Sequence, residues 1–279
     1  MQSRHSPLIA LAIAGVLFGI TVPLTKLALG WLGPASVTAV RFALAAPLLA
    51  WIGRRGLRSA SSISVLVTGA LGYGGMVLLQ NAGVERTSVA HAALLVGAVP
   101  ALVAVFATLA GRGATGPGAW AGFGLALAGV TLVAGSGGAA SFGGDSLVLL
   151  SAVSQAAFVV VQSRVLVDRD PVSVTALQMA AAAIVAAPAA LFEGVPAAPN
   201  PGSAVAVAAL VVAGTVLPFA LFAFGQARVR PQVAGAFCNL EPLVGAAVAV
   251  FAFGNPFGLA QTAGTVAILA GIGLSSRVA

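Results

Sequence analysis

Ala92-Ala93-Leu94-Leu95 leads on to Pro100 and Val105-Phe106, and Ala234-Gly235-Ala236-Phe237 leads on to Pro242 and Val250-Phe251. The two prolines stand 142 residues apart, and Gly72-Tyr73 with Gly214-Thr215, and Gly83 with Gly225, keep that offset. The chain says nearly the same thing twice, each time over about half its length. In so apolar a sequence, a half-length repeat points to a membrane protein built from two related halves, an arrangement common among transporters.

Composition narrows the class. The 279 residues are 59% hydrophobic and only 7% charged, and the mean hydropathy is +1.07. Soluble domains carry roughly 25% charged residues, so the solvent for this surface is lipid. The 35 glycines agree, because small residues let membrane helices approach closely. A net charge of +7 raises nucleic acid as a partner, but the charges sit singly between apolar runs and form no basic face. One cysteine, Cys238, allows no intrachain disulfide and no thiolate metal site. Arg4 and His5 precede an apolar stretch as in a signal peptide, but that stretch is too long and many others follow, so it reads as a first span.

A helix needs about 20 apolar residues to cross a bilayer. Breaks at Gly, Pro and charge clusters predict ten spans, at 8–29, 35–53, 61–82, 88–109, 117–135, 144–165, 172–192, 203–224, 232–252 and 257–275. The runs do not alternate, which argues against an outer-membrane barrel. With a cytoplasmic N-terminus, Arg4, Arg54, Arg55, Arg58, Arg112, Arg164, Arg169, Arg228, Arg230 and Arg277 all fall on the cytoplasmic side, and only Arg86 falls opposite. The positive-inside rule then sets both termini in the cytoplasm. Five spans per half is an odd number, so the second half enters the membrane from the other side. The expected fold class is all-α integral membrane, with ten transmembrane helices in two inverted-topology five-helix repeats, 1–139 (spans 1–5) and 140–279 (spans 6–10).

Phe18-Gly19 followed by Lys26, Pro34 and Arg41-Phe42 resembles the start of an EamA-type repeat. Ala92-Ala93-Leu94 to Pro100, then Gly122 to Ala128-Gly129-Val130, resembles its end; Leu240-Glu241-Pro242, then Gly264 to Ala270-Gly271-Ile272, is similar to the family's second ending. The resemblance covers almost the whole chain. It implies the drug/metabolite transporter superfamily, with a central cavity, and the compact bacterial amino-acid and metabolite exporters look closest. Where that family often has Gly-Glu after the fourth and ninth spans, this chain has Gly111-Arg112 and Gly254-Asn255; where it often has Trp-Gly, this chain has Phe18-Gly19.

Intramembrane charge costs roughly 2.5–3.5 kcal/mol at a helix centre on insertion scales, so it marks candidate sites. Glu241, beside Pro242, is a candidate for binding a substrate ammonium or carrying a proton. Lys26 and Arg41 together are candidates for a substrate carboxylate, against snorkelling for Lys26 and a packing bond to backbone carbonyls for Arg41. An offset near 138 pairs Lys26 with Arg164 and Arg41 with Gln178, which suggests matched polar layers at the two mouths of one path. The amides Gln80, Asn81, Gln155, Gln162 and Asn239 suit either a polar cavity or helix–helix hydrogen bonds. Tyr73, among Gly72, Gly74 and Gly75, suits a cavity wall or packing in lipid; His91 reads as a packing or interfacial residue. Pro23, Pro100, Pro218 and Pro242, with Pro47 and Pro188, are candidate kinks and gating points. Gly118 with Gly122, and Ala263 with Ala267 and Gly271, make smooth faces best used inside the bundle.

The leading expectation is a secondary transporter exporting small metabolites, most of all amino acids, across the bacterial inner membrane by alternating access. Its partners are a small-molecule substrate and the bilayer, with proton coupling as one option, and the chain is a monomer or weak homodimer. No cofactor, metal or catalytic residue is expected. The alternative is lipophilic drug efflux, against which the 6% aromatic share argues mildly. An intramembrane enzyme ranks last: there is no His-Glu-x-x-His, no Gly-x-Ser-x-Gly elbow and no Walker Gly-x-x-x-x-Gly-Lys-Ser/Thr.

Overall fold

The computed structural model describes residues 5–87, 92, 95–112, 116–134, 141–194, 198, 201–241, 243–244, 248 and 258–277. Six helices in it are long and apolar enough to cross a membrane: α1 (Ser6–Ala28), α2 (Pro34–Ile52), α3 (Ile63–Arg86), α6 (Phe142–Val165), α7 (Pro171–Phe192) and α8 (Pro201–Gln226). The other predicted spans hold α4 (Val99–Leu109), α5 (Pro117–Ala134), α9 (Pro231–Phe237) and α10 (Leu259–Arg277). The protein is all-α, and the ten predicted stretches all contain helix. Outside the fourth and ninth spans, ends shift by a few residues, most at α3, which runs to Arg86 rather than residue 82. Sequence sets these ends locally. Pro34, Pro171 and Pro231 stand in the first turn, where a missing N–H costs nothing. Asp170 accepts from the Ser173 N–H at 2.8 Å as an N-cap. Gly111, with φ of +67°, closes α4 as Arg112 N–H reaches back to the Ala107 carbonyl at 2.8 Å.

The inversion is visible in which residues meet. α2 and α7 run antiparallel, joined at both ends: Ser173 Oγ donates to the Gly53 carbonyl at 2.7 Å, and the Glu193 carboxylate accepts from Ala35 and Ser36 at 2.8 Å each. α5 and α10 also run antiparallel. A Cβ on Gly122 would meet the Gly271 carbonyl at 2.7 Å, and one on Gly129 the Gly264 carbonyl at 2.6 Å. The smooth faces of these two helices are therefore spent on each other.

The repeated glycines have a matching explanation. Gly83 and Gly72 of α3 press on α6, against Val148 and Phe158; Gly225 and Gly214 of α8 press on α1, against Leu11 and Thr21. In both halves, then, the third helix packs on the first helix of the other half. One apolar core runs through both, with Leu11, Phe42, Tyr73, Val99, Phe158, Met179, Phe219 and Cys238 in a single cluster. Large apolar side chains such as Trp51, Ile63, Ile184 and Leu191 stay exposed around the outside, where hydrocarbon is the solvent.

Candidate substrate site

Three spans break within a few residues before a proline in the sequence. α1 is interrupted at Ile20, three residues before Pro23, whose ring has no N–H for the Gly19 carbonyl. The fourth span turns at Gly97-Ala98, just before Pro100, and the ninth turns at Cys238-Asn239. Pro242 and His91 lie outside the described residues. The breaks in the fourth and ninth spans are equivalent in the repeat, but α6, the counterpart of α1, is continuous over 24 residues. The interrupted α1 presses on the interrupted ninth span. A Cβ on Gly15 would meet the Phe237 carbonyl at 2.6 Å, and one on Gly19 the Glu241 carbonyl at 2.8 Å.

Two buried ionisable side chains of opposite type, one from each half, lie within electrostatic reach of each other: Arg41, 4% exposed, and Glu241, 7% exposed. Arg41 crosses to α8, where Nε donates to Thr215 Oγ1 at 3.0 Å and Nη2 to the Gly214 carbonyl at 2.9 Å. Asn239 is 1% exposed, and neither its amide nitrogen nor its oxygen has a partner among the described residues. A buried amide left unpaired costs about 1–3 kcal/mol, so it marks a place built for another polar group.

Beside Arg41, whose guanidinium carbon lies 5.4 Å from the Phe42 ring centroid, stands an aromatic group drawn from five helices: Phe18, Phe42, Tyr73, Phe158, Phe219 and Phe222. Tyr73 lies 4.7 Å from Phe158 and 4.8 Å from Phe219, centroid to centroid, and Phe18 lies 4.9 Å from Phe219. Tyr73 is thus packed in the core rather than against lipid.

The remaining candidates have other partners. Lys26 is exposed and donates to the Val84 carbonyl at 2.8 Å, capping the end of α3. Arg41 is held at Gly214 and Thr215 instead, so the two cations expected to share a carboxylate are committed to different helices. Arg164, the repeat partner of Lys26, also caps a helix, giving Nη2 to Ala110 at 2.9 Å. Gln178 and Gln162 exchange hydrogen bonds of 2.8 and 2.6 Å, and Gln178 also donates to Thr68 at 2.9 Å. Asn81 ties α3 to α2 through Thr38 at 2.9 Å. Gln80 and Gln155 are half-buried.

Sequence reading missed the π-helical stretches, Gly69–Gly75 in α3 and Val212–Val216 in α8. They occupy equivalent places in the two halves. Each has a side chain from the second helix of the opposite half beside it: Arg41 at Thr215 within one stretch, Gln178 at Thr68 just before the other. The signal was present as Gly214 four residues before Pro218, and as Gly69-Ala70-Leu71-Gly72-Tyr73-Gly74-Gly75.

This architecture defines a multi-pass helical membrane protein of duplicated build, with a polar site between its halves. The sequence profile of the EamA-like transporter family matches the chain twice, over residues 5–135 and 142–277, and the chain belongs to that family. It is a membrane transporter, not an enzyme. It is 28% identical over 275 residues to the uncharacterized transporter YyaM of Bacillus subtilis, covering 93% of this chain and 90% of that one. It is 26% identical over 288 residues to an uncharacterized transporter of Archaeoglobus fulgidus, covering 99% and 98%. A solved crystal structure shares the fold with a TM-score of 0.86 at 21% identity, covering 99% of this chain and 98% of that one.

Proposed function

We propose that the protein is a secondary transporter exporting small zwitterionic metabolites, amino acids first among them, across the bacterial cytoplasmic membrane by alternating access. The observation that carries this reading is the Arg41–Glu241 pair. A buried cation and a buried carboxylate from opposite halves, within each other's field, match a substrate bearing both an anion and a cation. The broken α1 and ninth span support it, since discontinuous helices expose backbone groups at membrane depth. The two halves, 1–139 and 140–279, rock about the site, both termini face the cytoplasm as the arginine bias requires, and Glu241 is the group through which proton coupling would act. The commitment of the α5 and α10 faces to each other favours a monomer.

The test is purified protein in liposomes, assayed for labelled amino-acid flux with and without a proton gradient. Flux that depends on Arg41 and Glu241 supports the reading; no flux of any amino acid in either condition removes it. A second reading, efflux of lipophilic compounds, draws support from the aromatic group around Tyr73 and Phe219. Ethidium movement in the same vesicles, without amino-acid flux, would favour it.

A further inference from the structure

Arg41 sits in a receptor that the sequence of α8 builds for it. In an α-helix the Gly214 carbonyl accepts from the N–H of residue 218, and residue 218 is proline. In this helix the backbone instead widens into the π-helical stretch Val212–Val216, with the Leu217 N–H reaching back to Val212. Gly214 is left with a carbonyl that lacks its helical donor, and the Arg41 Nη2 supplies one at 2.9 Å. The adjacent hydroxyl completes the cradle: Thr215 Oγ1 accepts from Arg41 Nε at 3.0 Å while donating its own proton to the Leu210 carbonyl at 2.7 Å. Having given its proton to Leu210, that hydroxyl presents only lone pairs to the guanidinium.

The other half provides an internal comparison. At the place of Pro218, offset by 142, stands Met76, and a Cβ on Gly72 of α3 would meet the Phe158 ring. The π-helical stretch there is made by glycines, and what arrives from α7 is the neutral Gln178, bonded to Thr68. The cation appears only in the half where a proline has freed a carbonyl.

Two of the five guanidinium N–H groups are accounted for by these bonds, and those remaining on Nη1 and Nη2 form the outer edge of the planar fork, the edge suited to a carboxylate. We infer that Thr215, Gly214 and Pro218 are positioning residues, which fix the Arg41 guanidinium so that its free edge receives the carboxylate of the substrate. This rests on the reading of Arg41 as the carboxylate receptor of the proposed site.

The experiment uses the full-length protein in liposomes, with competition of labelled leucine flux by leucine and by leucinamide, which lacks the carboxylate charge. Wild type, Thr215→Ser, Thr215→Val, Pro218→Ala and Thr68→Val are compared, each first shown to be monodisperse. Pro218→Ala restores the missing helical donor and so competes with Arg41 for Gly214 without removing any packing group larger than the ring. The expected result is that Thr215→Val and Pro218→Ala lower the preference for leucine over leucinamide about tenfold through KM, with the maximal rate changed less than threefold. Thr215→Ser keeps the wild-type ratio, as does Thr68→Val, which cuts the equivalent bond to Gln178. An unchanged ratio in both Thr215→Val and Pro218→Ala, where wild type prefers leucine, overturns the positioning role alone. A wild type that transports but shows no preference for leucine overturns the carboxylate reading of Arg41, and this inference with it.

Discussion

The Glu193 carboxylate lies 2.8 Å from the backbone N–H of Ser36, and its second oxygen lies at the same distance from Ala35 N–H. The end of α7 thereby caps the start of α2, and a charge at a helix N-terminus adds a favourable dipole interaction. Glu193→Ala should lower stability by about 1 kcal/mol, the ordinary cost of losing a cap. A thermal scan in detergent checks this; Glu193→Gln should fall between the two, because the amide still offers one acceptor.

Gly271 and Gly273 give a sharper contrast two residues apart. A Cβ at Gly271 would meet the Gly122 carbonyl at 2.5 Å, while one at Gly273 meets nothing within 4 Å. Gly271→Val should force α10 off α5 and leave little monodisperse protein, whereas Gly273→Val should purify normally. Size-exclusion profiles of the two variants decide it.

Gln162 and Gln178 satisfy each other with two hydrogen bonds in a fully buried place. Gln178→Leu orphans the Gln162 amide, and Gln162→Leu leaves Gln178 only its bond to Thr68, each at about 1–3 kcal/mol, whereas changing both removes the unpaired amide. The double variant should therefore lose less stability than the sum of the single ones. A double-mutant cycle by thermal or denaturant unfolding measures the difference; strict additivity would count against the pairing.

Arg41→Gln should expose Glu241 to the interior without its counter-charge, and Glu241→Gln should do the converse. Leaving either group buried without the other should cost about 1–3 kcal/mol, the ordinary penalty of an uncompensated buried polar group. The double variant should recover most of the stability and none of the amino-acid flux. Recovery of stability without recovery of transport marks a binding pair; recovery of both would make the pair structural only.

Much of the fold was legible because lipid simplifies the code. Where every spanning backbone must be helical, long apolar runs translate directly into helices, and the arginine bias orders them. Matched glycines such as Gly83 and Gly225 also announced a shared scaffold, since the same close approach is required twice. The site was harder to read. Lys26 and Arg41 look alike in sequence, but one stands near a helix end and reaches a carbonyl at the surface while the other is walled in by α8. Tyr73 beside three glycines resembled a cavity wall, yet the space those glycines leave is taken by Phe158 and by α7. Partner choice depends on which helices cross, and no local pattern carries that.

The crossing of each third helix onto the first helix of the opposite half bears on the origin of the chain. Neither half closes its own glycine face: Gly83 waits for α6, and Gly225 needs α1, made some two hundred residues earlier. During synthesis, α3 enters the bilayer before its packing partner exists and must be held loosely until the second half arrives. A single-half ancestor would have met the same need only by pairing with a copy inserted upside down. Fusion of two such copies would make that dual insertion permanent and free them to diverge, as the proline-made cation seat of one half and its absence in the other illustrate.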